Sequence, residues 1–251
     1  LQAHLSQTIR TKKRYSRLDK AQCKPTHNFD NEKAEMILFA EESDPAIVDA
    51  MLESIKKYVT NLAQIYIIYI EQPALLDAYQ QMAEQYPELY FISIDQNRES
   101  FKSLLSVIYN NLINTNYVIF AKPDLVISES IDINTCIKAM EEYGAYSFSL
   151  TLAKECSAKQ SHLLPPTRMA LLELDNDLCM WNFATADSIW SCANNVNMTL
   201  YRHDNSYIRH ILENCWMYTW VHFLGWWTHE GYLEKTGLCF KYSKVNDIQG
   251  T

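Results

Sequence analysis

The chain has 251 residues, 22 basic against 30 acidic side chains, a net charge of −8, 48% hydrophobic residues and only five glycines. That apolar fraction over that length builds a folded core and excludes global disorder, and the acidic balance excludes nucleic acid as the main partner, since phosphate binding needs a surplus of Lys and Arg on one face. With Gly144, Gly225, Gly231, Gly237 and Gly250 as the whole supply, neither G-x-G-x-x-G nor G-x-x-x-x-G-K-[ST] occurs, so dinucleotide-binding and P-loop enzymes are excluded and any nucleotide is held without a glycine cradle.

Residues 1–33 hold eight basic and three acidic side chains, which leaves −13 for residues 34–251. This basic arm (RTKKRYSRLDK) suits an anionic membrane surface, giving a peripheral membrane contact. A solvated arm or a packing helix is the plainer reading. A chain that opens on Leu1 rather than Met reads as a fragment of a longer protein, so it says little about targeting segments.

After the arm a rhythm begins. β-rich runs occur at Met36–Ala40, Ile65–Ile70, Leu89–Ile94, Tyr117–Phe120 and Tyr146–Leu152, with gaps long enough for crossover helices. In the first gap Asp44 caps, Pro45 suits the first helical position, and Ile47, Met51, Ile55, Tyr58, Val59 and Leu62 repeat at helical steps. Leu75, Tyr79, Met82 and Tyr86 form a second stripe, and Phe101, Leu104, Leu105, Ile108 and Leu112 a third. Asp132 caps a fourth helix that stops near Gly144. This alternation predicts a mostly parallel sheet covered on both faces, with ligands at the carboxyl ends of the strands. The loops after Ala40, Ile70, Ile94 and Phe120 are therefore the ones to inspect.

From about Lys154 the rhythm breaks. Pro165-Pro166 marks a loop, Met169–Leu174 reads as a strand, and all six tryptophans lie in the last third. Residues 34–251 thus form one domain, with a nucleotide-binding half (34–153) and an aromatic-rich half (154–251). The apolar run Cys215–Thr228 is too short for a membrane span and carries His222, so it reads as core or interface. Seven cysteines, odd in number and never in a C-x-x-C pair, fit reduced thiols in the cytoplasm, most of them buried. His203 and His210, like His222 and His229, stand seven apart, which does not match the zinc spacing of H-E-x-x-H. No G-x-S-x-G supports a hydrolase triad. Asn197-Met198-Thr199 is the only glycosylation sequon.

The segment Tyr117–Ile127 (YVIFAKPDLVI) places an aspartate just beyond a buried strand and before a second apolar run. It resembles the acidic loop of the bacterial GT-A-fold glycosyltransferases, whose D-x-D or D-D-x motif holds a divalent metal on a sugar-nucleotide diphosphate. Asn97–Lys102 (NRESFK) resembles their N-x-x-F-K stretch, residues 36–59 their opening strand, loop and helix, Tyr146–Leu152 their F-x-F-S-L strand, and Trp181–Arg209 their acceptor-side segment. The resemblance covers roughly residues 36–245 and implies a three-layer α/β/α sandwich. It departs at Lys122, which stands where the first aspartate of the motif would be, at Asp44, which precedes Pro45 where the family tends to carry Arg, and at Thr151, where the subgroup tends to have Arg.

The resemblance implies a transferase that moves a sugar from a nucleotide-sugar donor to a glycan or other acceptor. Such transfer needs positive charge on the departing diphosphate and, in an inverting enzyme, a carboxylate base for the acceptor hydroxyl. The candidates are Lys102 and Lys122 for the diphosphate, Asp124 as metal ligand (Mn or Mg) or ribose contact, Glu42 and Asp44 for the base and ribose, Glu230 and then Asp187 as catalytic base, and Trp181 and Trp190 as acceptor-stacking rings. Glu41, Glu42 and Asp44 read equally as helix N-terminal charge. Trp216, Trp220 and Trp227 fall with Phe223 at helical spacing and read as a core stripe. Lys122 either replaces the metal electrostatically or marks a degraded site. The second alternative makes the chain a catalytically inactive GT-A-like domain that binds a glycan or protein partner.

Overall fold

A computed structural model describes residues 30–41, 43–97, 100–155, 164–166, 169–214 and 235–248. In chain order the strands are β1 (Asp30–Glu41), β2 (Val59–Thr60), β3 (Leu62–Ile70), β4 (Tyr90–Ile94), β5 (Thr115–Ala121), β6 (Leu125–Ile127), β7 (Ile131–Asp132), β8 (Ser147–Glu155), β9 (Leu172–Leu174), β10 (Leu178–Asn182), β11 (Thr199–Arg202), β12 (Thr236–Tyr242) and β13 (Val245–Asp247). The helices are α1 (Pro45–Tyr58), α2 (Leu76–Gln85), α3 (Phe101–Val107), continued by one π turn over Ile108–Leu112, α4 (Ile133–Glu142) and α5 (Ser206–Asn214).

Nine strands form one sheet in the order β4-β3-β1-β5-β11-β8-β12-β10-β9. β4, β3, β1 and β5 are mutually parallel. β11 then runs antiparallel to both β5 and β8, while β12 is parallel to β8. The sheet is thus mostly parallel in its first half, as expected, and the parallel order is interrupted between β5 and β8. β11 is the reason: Thr199–Arg202 (TLYR) is too short to announce itself as a strand, yet it satisfies the ladder groups of two neighbours. Asp30–Lys33, assigned from sequence to the arm, already belong to β1. The strand expected over Met169–Leu174 spans only Leu172–Leu174.

Strand residues alternate between two cores because successive side chains point to opposite faces. Met36, Leu38, Ile65, Ile67 and Ile119 pack with Val48, Met51 and Leu52 of α1, Tyr79 and Met82 of α2, and Ile133, Ile137 and Met140 of α4. Ile37, Phe39, Ile68, Val118 and Phe120 pack on the other side with Phe101, Leu104 and Leu105 of α3 and Ile208, Ile211 and Leu212 of α5. Helices on both faces of one sheet make three layers, α/β/α. A third cluster, at the β10–β12 end, gathers Leu125, Leu152, Trp181, Phe183, Trp190 and Val245.

Local chemistry sets the helix ends as the sequence indicates. Asp44 accepts from the Ala46 N–H at 2.9 Å with Pro45 in the first turn, and Asp132 accepts from the Asn134 N–H at 3.1 Å. Gly144, at φ +60°, supplies the left-handed residue just past α4. Arg202 closes the same helix end, donating to the carbonyls of Met140 and Ala145 and to Glu141.

Candidate functional site

The four parallel strands end together on one edge of the sheet. The register pairs Leu38 with Ala121, Glu41 with Tyr69, and Ile70 with Ile94, so the loops opening at Glu41, Glu71, Asp95 and Lys122 lie side by side. Each of these loops begins where a buried apolar strand gives way to a polar residue. An open α/β sheet binds ligands outside such carboxyl ends.

The first loop turns at once, with the Ser43 N–H donating to the Ala40 carbonyl at 2.7 Å and Glu41 at φ 40°. Asp44 lies exposed at the start of α1, and its carboxylate serves the helix as cap. Tyr79 of α2 supports the turn, its hydroxyl donating to the Ser43 carbonyl at 2.9 Å while its ring stacks on Tyr69 at 4.2 Å. Burial first, then the neighbouring Tyr69 and Asp44, push the Tyr79 phenol well above its usual range, so it stays a neutral donor. Glu42 lies outside the described residues.

Sequence reasoning marked the next two loops but missed their carboxylates. Ser93 donates to Glu71 Oε1 at 2.6 Å, and Gln96 donates to the Glu71 carbonyl at 3.2 Å. Ser100 donates to Asp95 Oδ2 at 3.1 Å. Both acids are the first residue past a predicted apolar run, which is the signal that finds them. Lys102, in the first turn of α3, donates to the Glu213 carbonyl at 3.1 Å and so ties α3 to α5.

The fourth loop is the most firmly built. Pro123, Leu125 and Ile127 are buried. β6 pairs with β13, and the Ile127 N–H donates to Ser54 Oγ of α1 at 3.0 Å. Within this frame Lys122 Nζ lies 2.6 Å from Asp124 Oδ2, with the lysine side chain 23% and the aspartate 44% exposed. The two sequence candidates are therefore brought together as an ion pair. Among the described residues of the four loops, five carboxylates (Glu41, Asp44, Glu71, Asp95 and Asp124) accompany the Lys122 ammonium.

A divalent cation of the kind the family resemblance implies takes several hard oxygen ligands. Here the one carboxylate of the acidic motif is engaged by an ammonium that occupies the place of the other. Among the described residues no three His, Cys, Asp or Glu side chains gather as a metal-holding group. Among the described residues, the acidic motif thus offers one carboxylate, Asp124, and it is paired with Lys122.

The aromatic candidates prove to be core. Trp190 is fully buried and Trp181 is 4% exposed, with ring centroids 4.8 Å apart in an edge-to-face contact. Trp181 Nε1–H donates to the Trp190 carbonyl at 2.8 Å, and Trp190 Nε1–H to the Leu164 carbonyl at 3.0 Å. A buried indole with its N–H satisfied has no face left for a sugar. Polar neighbours in sequence suggested exposure, but Asn182, Thr185 and Asp187 point the chain's polar groups outward while the indoles turn in. Asp187 is exposed at the start of a short 3₁₀ turn, Ser188–Ser191. Glu230, Trp216, Trp220, Trp227, His222 and His229 lie outside the described residues. His203 is buried, its Nε2 2.6 Å from the Tyr109 carbonyl. Thr199 of the sequon is buried in β11 and donates to Asn195 Oδ1 at 2.6 Å.

A separate hollow of about 210 Å³ lies at the opposite edge of the sheet, between the end of α1 and the start of β3, lined by Leu52, Ile55, Val59, Leu62 and Leu89. No described helix is long and apolar enough to cross a membrane.

No family model and no curated protein matches the chain. Solved structures do. The structure of S. aureus TarS matches with a TM-score of 0.51 at 14% identity over 85% of this chain and 37% of that one. TarS 1–349 in complex with UDP matches with a TM-score of 0.48 at 12% identity, covering 71% and 49%. The mannosyltransferase PcManGT from Pyrobaculum calidifontis, in complex with GDP-Man and Mn2+, gives a TM-score of 0.37 at 13% identity, covering 57% and 43%. The chain thus spans half or less of the length of these structures. At such identities the likeness to TarS is one of fold, and it agrees with the three-layer α/β/α architecture expected from the sequence.

Proposed function

We propose that this chain is the nucleotide-sugar-binding domain of a glycosyltransferase, which takes its donor at the edge formed by the loops after β1, β3, β4 and β5 and passes the sugar to a glycan or related acceptor. The observation that carries the reading is the shared edge itself: four strand ends in the fold of TarS, each opening on a side chain suited to a nucleotide. Carboxylates at Glu41, Asp44, Glu71 and Asp95 accept from base N–H groups and ribose hydroxyls, and Lys122 meets phosphate charge. Glu42 and Lys102 are assigned to the same donor site from sequence.

In the transfer step the acceptor hydroxyl oxygen forms a bond to the anomeric carbon as the bond from that carbon to the β-phosphate oxygen breaks. The electron pair leaves with the nucleoside diphosphate, and the hydroxyl proton passes to a carboxylate base. Glu230 is the first candidate for that base and Asp187 the second. The burial of Trp181 and Trp190 takes away the acceptor rings assigned from sequence, for the transferase and for the inactive, partner-binding alternative alike.

Calorimetric titration with UDP, GDP and CMP tests the reading. Binding of one of them, weakened by Asp95→Ala and Glu71→Ala with the fold intact, is the expected result. A chain that binds none of the three, with or without manganese, would end the donor-site assignment.

A further inference from the structure

We propose that Cys179 and Cys239, opposite each other on β10 and β12, are a redox pair that a peroxide closes into a reversible cross-strand disulfide. The pair stands at the β10–β12 end of the sheet and is independent of the donor-site reading.

The strand register brings the two thiols together from distant parts of the chain. Cys179 is paired directly with Cys239, between the pairs Leu178–Phe240 and Met180–Leu238. On either side of them the Lys241 N–H donates to the Asp177 carbonyl at 2.6 Å and the Phe183 N–H to the Lys235 carbonyl at 3.1 Å. Hydrogen-bonded pairs recur at every second position of an antiparallel ladder, so Cys179–Cys239 is one of them. The Cα atoms of such a pair stand about 5.5 Å apart, within the roughly 4.4–6.8 Å that a disulfide spans. Both side chains enter the same core cluster, with Leu152 and Trp181, and both are free thiols.

The surroundings distinguish the two sulfurs. The hydrogen bond from Cys239 outweighs burial and holds the Cys179 thiol below its usual range, with the Lys154 and Lys241 charges acting in the same direction and Glu173 against them. Burial pushes the Cys239 thiol well up. Cys179 is therefore the better nucleophile of the two. It also lies next to the rim of the sheet. Glu173 stands opposite it on β9, a three-residue edge strand, and is exposed where it pairs with Lys154 and, at 3.0 Å, with Lys241. Both thiols are fully buried, so the oxidant must be small, and a peroxide hardly larger than water has a short way in past these flexible side chains.

The Cys179 thiolate attacks one oxygen of hydrogen peroxide and the O–O bond breaks. The leaving hydroxide takes up the proton that Cys179 gave, departs as water, and Cys179 is left as a sulfenic acid. The Cys239 sulfur then attacks the Cys179 sulfur, the S–O bond breaks, and a second water leaves with the Cys239 proton. The two thiols together lose two electrons, which the peroxide accepts. Facing Cβ atoms in a sheet are about 4.5–5.5 Å apart, against about 3.5–4.5 Å in a disulfide, so the new bond draws β10 and β12 together. A bond strained in this way is readily reduced, which makes the link reversible.

The test treats the reduced full chain with hydrogen peroxide, blocks the remaining thiols with iodoacetamide in denaturant, and reads the digest by mass spectrometry. A linked pair of peptides joining Cys179 to Cys239 is expected, lighter by two hydrogens than the free thiols and lost on adding dithiothreitol. The link should persist in Cys192→Ser and vanish in Cys179→Ser and in Cys239→Ser. Peroxide treatment in guanidinium should bring its yield down to that of the other cysteine pairs, because the register no longer holds the thiols together. Because the link is read in the wild type, the result does not depend on how well the variants fold. Recovery of Cys179 and Cys239 as alkylated thiols after peroxide would overturn the proposal, as would a link formed equally well in guanidinium.

Discussion

Replacing Trp190 separates a core tryptophan from a sugar platform. In Trp190→Phe the N–H donated to Leu164 is lost, a net cost of about 1 kcal/mol. Trimming an indole to a phenyl gives up roughly 40 Å² of the 150–250 Å² such rings bury, about another 1 kcal/mol. The sum of about 2 kcal/mol corresponds to a fall in Tm of about 4–8 °C for a chain of this size. Trp190→Ala also removes the ring that packs edge-to-face on Trp181, and large-to-small changes of this kind cost about 3–5 kcal/mol, or roughly 6–20 °C. Differential scanning calorimetry of both variants, alongside nucleotide titration, reads the effect. Both variants should lose stability in that order while Trp190→Phe keeps its nucleotide affinity. A Trp190→Phe protein with wild-type Tm and impaired binding of a glycan acceptor would refute the reasoning and return the ring to the acceptor site.

Gly237 stands opposite Trp181 on the neighbouring strand, and a Cβ there would come within 2.6 Å of Trp181 Cζ2 and 2.9 Å of Phe183 Cζ, so Gly237→Ala should cost about 1–3 kcal/mol in denaturant titration. Glu35 is buried, accepting from Tyr66 at 3.0 Å and from the Asn114 N–H at 3.0 Å, and burial outweighs these bonds to hold its carboxyl above the usual range. Its proton is bound more tightly in the folded state, so the stability it contributes is full below the unfolded pKa of about 4.3 and is lost as pH rises through the folded value. Glu35→Gln should therefore match or exceed the wild-type Tm at pH 8, with that advantage shrinking towards pH 4.5; a variant less stable at pH 8 than at pH 4.5, relative to wild type, contradicts this. Asp132 behaves oppositely: burial raises its carboxyl, but bonds from Asn61, Thr135, the Asn134 N–H and Thr60 prevail and hold it below the usual range. Its contribution is present above the unfolded pKa and lost as pH falls through the folded value, so Asp132→Ala should cost about 1 kcal/mol at pH 7, with the deficit shrinking in acid.

The fold was legible where local and global signals agree. Asp44-Pro45, the α1 stripe and the Asp132 cap with Gly144 each carry their own start or stop, and the five strand runs were apolar enough to read directly. β11 and β12 were not legible, because TLYR and TGLCFKY mix polar and apolar residues and owe their strand state to neighbours far away in sequence. The indoles misled for a related reason: Trp181 is core because Gly237, more than fifty positions later, offers it a flat surface. Of the donor-site candidates, Lys122 and Asp124 were found by their place after an apolar run. Glu71 and Asp95 satisfy the same rule and were overlooked, although their loops were marked.

Hydrogen exchange of the chain with and without the nucleotide that binds tests the central claim most directly. The account predicts slowed amide exchange in the loops at residues 41–44, 71–75, 95–97 and 122–124, with little change around Leu52, Val59 and Leu62 at the far edge. Protection confined to that far edge, with the four loops unaffected, would contradict it.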